Sequence, residues 1–499
     1  MPEIDIENKP CSDGVAIVIF GVTGDLARRK LLPGLYENAK NGRLPDPFYI
    51  IGFARRPWSH EKMRDVLREG VYEYGRTQPI DDAILEKLLE KSFYVESTFE
   101  DQAGYQELDQ ALHKIGVKNT LFYLSTPPGN YSTIVKNIGQ SKLELCPAGW
   151  RRIVVEKPFG RDLETALSLD NELHAVFNED QIYRMDHYLG KETVQNILAF
   201  RFGNGIFEPL WNRKYIDHIQ IAMAETEGVG TRAGYYDNAG VVRDVFQNHL
   251  LQLLTLTAME APAVFNAKAV RDEKVKVLKS INNISGDQAI KNTFRAQYVS
   301  GNINGQRVAS YRDEPNVASD SITETYMAAR LFINNWRWAG VPFYLRSGKR
   351  LPARATEISI QFTQVPLALF GQRNLAGDAP NMLVIQIQPN EGITLFLGAK
   401  APGSAMKIEP VEMRFNYAEA FGGEPPEAYE RLLLDCLTGD ATLFTRSDEV
   451  EEAWRLTQGI IEAWKSQNLK NLPIYEAGTQ GPHGADDFIS ADGRKWREF

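Results

Sequence analysis

The sequence predicts an N-terminal α/β domain, Rossmann-like with a doubly wound parallel sheet, over residues 1–185. A larger α+β domain with a mostly antiparallel sheet is predicted over 186–499. Three observations support this reading. The 499 residues exceed what one ordinary core fills. Up to about residue 185 the strand candidates are continuous apolar runs separated by helical stretches, the pattern of strands buried on both faces. Beyond that point they alternate apolar with polar side chains, as half-buried antiparallel strands do.

VAIVIF at 15–20 is the first buried strand, followed by turn glycines and by helical spacing of Leu26, Leu31, Leu32 and Leu35 that ends near Gly42. FYIIGFA, NTLFYLSTPP and RRIVVEKPFG supply later strands, the last two stopped by proline. In the second half HIQIAMAETEGV, TFRAQYVSG, EISIQFTQVP, MLVIQIQP and ITLFLGAK alternate. VVRDVFQNHLLQLLTLTAM and AYERLLLDCLTG read as amphipathic helices of that half, and PHGADDF near the C-terminus as loop.

Hydrophobic residues make up 43% of the chain and charged residues 24%, which places it among globular proteins. A net charge of −9 without any Lys/Arg-rich run gives no reason to expect nucleic acid or a membrane as partner. Three scattered cysteines, Cys11, Cys146 and Cys436, argue against a disulfide framework and a Cys-based metal site. No metal is expected, since no His/Cys/Asp cluster has ligand spacing. With no signal-like segment and no apolar run long enough to span a bilayer, a cytoplasmic location is expected.

Chemistry-bearing residues fall at strand ends. GVTGDLARRK at 21–30 joins a buried strand to a helix, where main-chain N–H groups can hold a pyrophosphate. Gly21 and Gly24 remain of the full glycine pattern, and Ala27 is small enough for close helix packing. At the end of the second strand stand Arg55 and Arg56, where an NAD site would carry an acid. A guanidinium suits a 2′-phosphate, so NADP is favoured, although a solvated loop pair also fits. Lys157 ends another strand, before a proline whose peptide bond can be cis.

RMDHYLGK at 184–191 packs an acid, an imidazole and an ammonium into six positions. Two readings are open. As a helix it would put His187 and Lys191 on one face to straddle a phosphate, with Asp186 pointing elsewhere. Alternatively Asp186 is a helix N-cap and the rest of the stretch is solvated. Glu225 shares a strand face with Ile219, Ile221 and Met223, and a buried carboxylate needs a partner or a hydroxylated ligand. His249 lies one turn after Val245 on an apolar helix face, near Asp244 and Asn248, and Lys349 sits in a glycine loop after a strand.

With GVTGDLARRKLLPGLY, IVVEKPFG, RMDHYLGKETVQN, RDVFQNHLLQ, RDEKVKVLKS and WRWAGVPFYLRSGKRLP in order, the chain resembles the glucose-6-phosphate dehydrogenase family from about Val15 to its C-terminus. The resemblance implies hydride transfer from C1 of β-D-glucose 6-phosphate to NADP, the entry step of the pentose phosphate route. It places the base on His249 and its orienting acid on Asp186. His187 and Lys191 fall on phosphate positions, and Tyr188 between them in the substrate site. Glu225, Asp244 and Lys349 fall on sugar contacts, and Lys157 serves both ligands. Gly21, Val22, Thr23, Gly24, Asp25, Leu26, Ala27, Arg28, Arg55 and Tyr131 match the cofactor site.

Two positions depart from the family pattern: Met185 replaces the commoner Ile, and Arg354 stands where many relatives carry Lys and can still pair with phosphate. The resemblance also implies a homodimer or homotetramer built through the large sheet. Two other functions fit parts of the pattern. An oxidoreductase of unphosphorylated sugars or polyols would not need His187 and Lys191, and an NADP-sensing protein would have no use for His249.

Overall fold

The computed structural model describes residues 13–146, 148–282, 284–365, 381–403, 406–422 and 426–499. Cys11, the polar N-terminal segment and Pro366 of EISIQFTQVP lie outside them. The chain divides into two compact units. The first holds Met1–Lys191, Val264–Arg271 and Pro426–Glu451; the second holds Glu192–Ala263, Asp272–Pro425 and Glu452–Phe499.

In the first unit the apolar runs form a parallel sheet of β1 (Val15–Phe20), β2 (Phe48–Ala54), β3 (Ser92–Glu96), β4 (Asn119–Leu124), β5 (Arg151–Glu156) and β6 (Ile182–Met185). Their order is β6-β5-β4-β1-β2-β3, and β17 (Phe444–Thr445) joins antiparallel beside β6. β1, in the middle, is buried along its whole length, as expected of a strand covered on both faces. The change of pattern after 185 predicts a single boundary there and places AYERLLLDCLTG in the second half. Instead that helix, Ala428–Thr438, belongs to the first unit. Asn38 donates to the Glu430 carbonyl at 2.8 Å, and Arg152 reaches the carbonyls of Cys436 and Leu437 at 2.7 and 2.8 Å. Periodicity identifies an amphipathic helix but not the sheet it will cover.

The second unit is built on β7 (Ile216–Ala224), β8 (Thr293–Val299), the short hairpin β9 (Gly301–Ile303) and β10 (Gln306–Val308), β11 (Tyr326–Phe332), β12 (Pro342–Gly348), β13 (Ala355–Phe362), β14 (Met382–Gln388), β15 (Gly392–Lys400), β16 (Ile408–Asn416) and β18 (Ile474–Glu476). Nine of these form one sheet, β16-β15-β14-β13-β7-β12-β11-β8-β18. It is antiparallel except where β7 meets β12 and β8 meets β18.

β7 alternates in sequence, yet both of its faces are covered. The C-terminal segment lies against the polar side: Gln220 donates to the Lys495 carbonyl at 2.8 Å and accepts from the Arg497 N–H at 3.0 Å. Asp217 pairs with Arg494, and Arg346 stacks on Trp496 and Phe499 at 4.8 and 3.9 Å. Polar side chains facing a polar tail satisfy the alternation without solvent. PHGADDF is part of a helix, His483–Ser490, held by buried Ala485 and Ile489, and not a loop.

Candidate active site

At the carboxyl ends of the first unit's strands lies a cleft of about 360 Å³, lined among others by Gly21, Thr23, Gly24, Arg55 and Arg56. Gly21 has φ of +83°, and a Cβ there would stand 2.4 Å from the Ser125 carbonyl, so only glycine makes this turn. The Gly24 N–H closes it on the Gly21 carbonyl at 2.9 Å. Val22 and Ala27 are core residues, and any part they take in binding is through the main chain. Leu26 is half-buried and precedes a short π-helix, Ala27–Leu31, rather than the regular helix start expected.

The charged side chains of the turn point to other partners. Asp25 pairs with Arg29 at 2.8 Å and Arg28 with Glu73 at 2.5 Å, and neither lines the cleft. Arg55 and Arg56 are exposed on its wall. The Tyr94 hydroxyl, 2.7 and 2.6 Å from the carbonyls of Ala54 and Arg56, fixes the strand end that carries them. Arg56 also lies 5.6 Å from the Trp58 ring. Ser97, Thr98, Glu100, Ser125, Thr126 and Asn130 complete the polar lining, and no sequence motif marks them. They follow β3 and β4, so the rule that ligands sit beyond strand carboxyl ends would have found them. Tyr131 is fully buried outside that lining, and its hydroxyl donates to the Glu156 carbonyl at 3.1 Å.

β5 ends on Glu156, Lys157 follows half-buried, and the Lys157–Pro158 bond is cis. RMDHYLGK does not form a helix: β6 ends at Met185 and a turn follows. Asp186 Oδ1 accepts the Tyr188 N–H at 3.0 Å, the local capture that Asp offers at turns. A Cβ on Gly190 would stand 2.8 Å from the Ala428 carbonyl, so the close-packed helix 428–438 also demands this tight loop. Asp186 and Tyr188 are buried, whereas His187 and Lys191 are half-buried. Tyr188 packs against both, 5.0 Å from the His187 ring and 4.4 Å from the Lys191 ammonium.

In the second unit, parallel pairing of β7 with β12 sets Ala224 opposite Gly348. The next residues, Glu225 and Lys349, therefore emerge side by side and form an ion pair at 2.5 Å. This is the partner that a carboxylate on an apolar strand face requires. Lys349 is further held by the Tyr475 hydroxyl on its carbonyl at 2.6 Å and by the Tyr236 ring, 5.1 Å away.

The helix expected over 241–259 has two parts. Gly240 breaks it from the preceding helix with φ of +67°, Val242–Leu250 winds as a π-helix, and Leu251–Ala258 returns to α. Wide turns of this kind concentrate at functional sites. This one carries Asp244 and His249, both buried. Asn248 accepts the His249 N–H at 2.6 Å and donates to the Arg243 carbonyl at 3.1 Å. Arg232 comes within 3.6 Å of Asp244, and Arg354 is exposed in the loop between β12 and β13.

One further cluster lies in the first unit, where Asp170, His174 and Glu179 come together. Arg184 already binds both carboxylates, holding Glu179 at 2.7 Å. The cluster is thus an ion-pair network around a buried guanidinium.

Comparisons with known proteins agree along nearly the whole chain. The family model described as glucose-6-phosphate dehydrogenase, NAD binding domain, matches residues 18–196, and that of the C-terminal domain matches 198–497. The chain is 46% identical over 492 residues to glucose-6-phosphate 1-dehydrogenase of Aggregatibacter actinomycetemcomitans, covering 97% of this chain and 98% of the relative. It is 44% identical over 488 residues to that of Bacillus subtilis (strain 168), covering 96% and 97%. A solved structure of glucose-6-phosphate dehydrogenase in complex with its substrate glucose-6-phosphate superposes with a TM-score of 0.89 at 36% identity, covering 98% of this chain and all of that one.

Proposed function

The chain belongs to the glucose-6-phosphate dehydrogenase family, and on that premise we propose that it oxidises C1 of β-D-glucose 6-phosphate with NADP as hydride acceptor. The products are 6-phosphoglucono-δ-lactone and NADPH, the first step of the oxidative pentose phosphate pathway. Residues 1–185 would hold the nucleotide, and 186–499 the sugar and the contacts between subunits.

The observation that carries the choice of cofactor is the pair of exposed guanidiniums, Arg55 and Arg56, at the end of β2 beside the Gly21 turn. Their charge and the hydroxyls of Thr23, Ser97 and Thr98 suit a nucleotide bearing a 2′-phosphate. Bound there, NADP supplies the hydride acceptor at C4 of its nicotinamide.

Each side chain then has one task. His249 removes the C1 hydroxyl proton, the general-base role that imidazole fills most often. Asp186 accepts from the other ring nitrogen, holding the tautomer and stabilising the imidazolium. His187, Tyr188 and Lys191 bind the phosphate, with Arg354 adding charge. Glu225, Asp244 and Lys349 hold sugar hydroxyls, and Lys157 spans sugar and cofactor. Tyr131 supports the cofactor site through the strand end it binds.

Mixing the protein with glucose 6-phosphate and NADP and following the NADPH absorbance band tests the reading. A protein that binds NADP but produces no NADPH would instead be a sensor, and equal turnover of unphosphorylated polyols would make it a general sugar oxidoreductase.

A homodimer or homotetramer built through the large sheet is proposed on the face of edge strand β16. There Val411, Met413 and Phe415, alternate residues on one side, are 40%, 62% and 37% exposed. Light scattering of wild type and Met413→Glu tests it, and a wild-type monomer would refute it. A cytoplasmic location is proposed from the free thiols of Cys146 and Cys436. Among the described residues no helix is long and apolar enough to cross a membrane.

A further inference from the structure

Glu156 ends β5, next to Lys157, and has no part in the mechanism above. Three tyrosines from three elements nevertheless converge on it. Its Oε1 accepts the Tyr123 hydroxyl from β4 at 2.5 Å and the Tyr429 hydroxyl from helix 428–438 at 3.2 Å. Its carbonyl accepts the hydroxyl of Tyr131 from helix 131–140 at 3.1 Å. Burying a carboxyl costs free energy, and two neutral phenols give it hydrogen-bond donors. A strand end in need of anchoring alone could use an amide here.

We infer that Glu156 is a positioning residue: moored to Tyr123 and Tyr429, its carboxyl governs the charge felt by Lys157 and Asp186, and thereby the pH at which the catalytic base becomes active. The inference rests on the roles proposed above for Asp186 and His249. The charged and titratable groups that face Glu156 are Tyr123, Tyr131, Tyr429, Cys436, Lys157 and Asp186. Burial pushes the three phenols and the Cys436 thiol up, so they stay neutral through the working range.

Glu156 itself is pushed up to about 7, chiefly by burial, while the two phenols and Lys157 pull it down and Asp186 pushes it further up. Its carboxyl therefore gains or loses a proton near neutrality. Parallel pairing of β5 with β6 sets Glu156 opposite Met185, so above that pH a negative charge stands near Asp186, the next residue, and favours the imidazolium that Asp186 would stabilise.

The test is the pH profile of kcat/KM for glucose 6-phosphate in wild type, Glu156→Gln and Tyr429→Phe. Gln keeps an acceptor for both phenols but cannot ionise. The acid limb of Glu156→Gln is expected to move to lower pH by about half a unit or more, for loss of one nearby charge. Tyr429→Phe removes one donor, delays ionisation of Glu156 and is expected to move the limb the same way by less. It should add nothing in the Glu156→Gln background. Unchanged profiles in both variants, with normal thermal stability, would overturn the inference, as would a change in stability alone. Asp186→Asn separates the two levels: loss of kcat there beside unchanged Glu156→Gln profiles sinks only this inference, whereas normal kcat in Asp186→Asn sinks the site reading itself.

Discussion

At the carboxyl end of β2 the side chains that face the cleft, Arg55 and Arg56, stand exposed and apart from the core. At the ends of β7 and β12 the functional candidates Glu225 and Lys349 are bound to one another, and His249 is buried in a π-helix. On the proposed function, the first arrangement would select a ligand by charge on an exposed surface. The second would hold reacting groups in place by making them part of the packing. Substitutions in the first should change affinity alone, and substitutions in the second should change turnover and be felt by the fold.

The largest effect is expected at His249. His249→Asn should lower kcat by roughly 10² to 10⁴, the scale of a lost general base, with glucose 6-phosphate affinity nearly intact. Asp186→Asn should also lower kcat, and the double variant should be little worse than His249→Asn, since the two residues act as a unit. Steady-state kinetics check this. A near-normal kcat would leave His249 as a packed core residue and erase the contrast between the two regions.

Next comes the exposed side. Arg55→Ala should weaken NADP binding by about ten- to a hundredfold, on the order of 1.5–3 kcal/mol for a charged hydrogen bond, and NAD binding far less. Its melting temperature should stay at the wild-type value, because the side chain is exposed. Titration of both cofactors measures the ratio, and equal losses for NADP and NAD would remove Arg55 from the 2′-phosphate. Between the two regions, Lys191→Ala and His187→Ala, at half-buried positions after β6, should mainly raise KM for glucose 6-phosphate and barely affect turnover of unphosphorylated glucose. Remote binding energy can also orient the sugar, so some loss of kcat is compatible with this role. Equal loss on both sugars would sink it.

The two regions also differ in how much of them could be read from sequence. The Gly21 turn, the arginines after β2 and Lys157 before its proline were legible because each follows a continuous apolar strand, and strand ends are easily located. The parallel sheet and the mostly antiparallel one were legible for the same reason. Three features were not. The π-helix around His249 has the same apolar spacing as an α-helix, and the turn at Asp186 depends on helix 428–438, more than two hundred positions away in the chain. The ion pair of Glu225 with Lys349 depends on which strands are neighbours. Local pattern reveals an element's kind and its end, but not the partner that satisfies it.

The smallest effect concerns the tail that covers the polar face of β7. Asp217 accepts from Arg494 at 2.9 and 3.0 Å and lies 2.7 Å from His218 Nδ1. His218 and Arg494 hold its carboxyl well below the usual carboxylate range, against the opposing effect of burial. An acid whose folded pKa is depressed contributes stability that is fully present above its unfolded pKa, about 3.9, and lost as pH falls through the folded value. The carboxylate is 40% exposed, so solvent screens the pair and its contribution should be no more than about 1 kcal/mol. Asp217→Asn should therefore melt slightly below wild type at neutral pH. The gap should narrow below about pH 4, where the wild-type acid begins to lose its advantage over the unfolded chain. Melting curves of both proteins at neutral pH and near pH 3 check the sign. Equal melting of the two proteins at neutral pH would mean that the pairing of Asp217 with Arg494 contributes nothing to docking of the tail, which its other contacts, such as Arg497 with Glu357 at 3.0 Å, then hold.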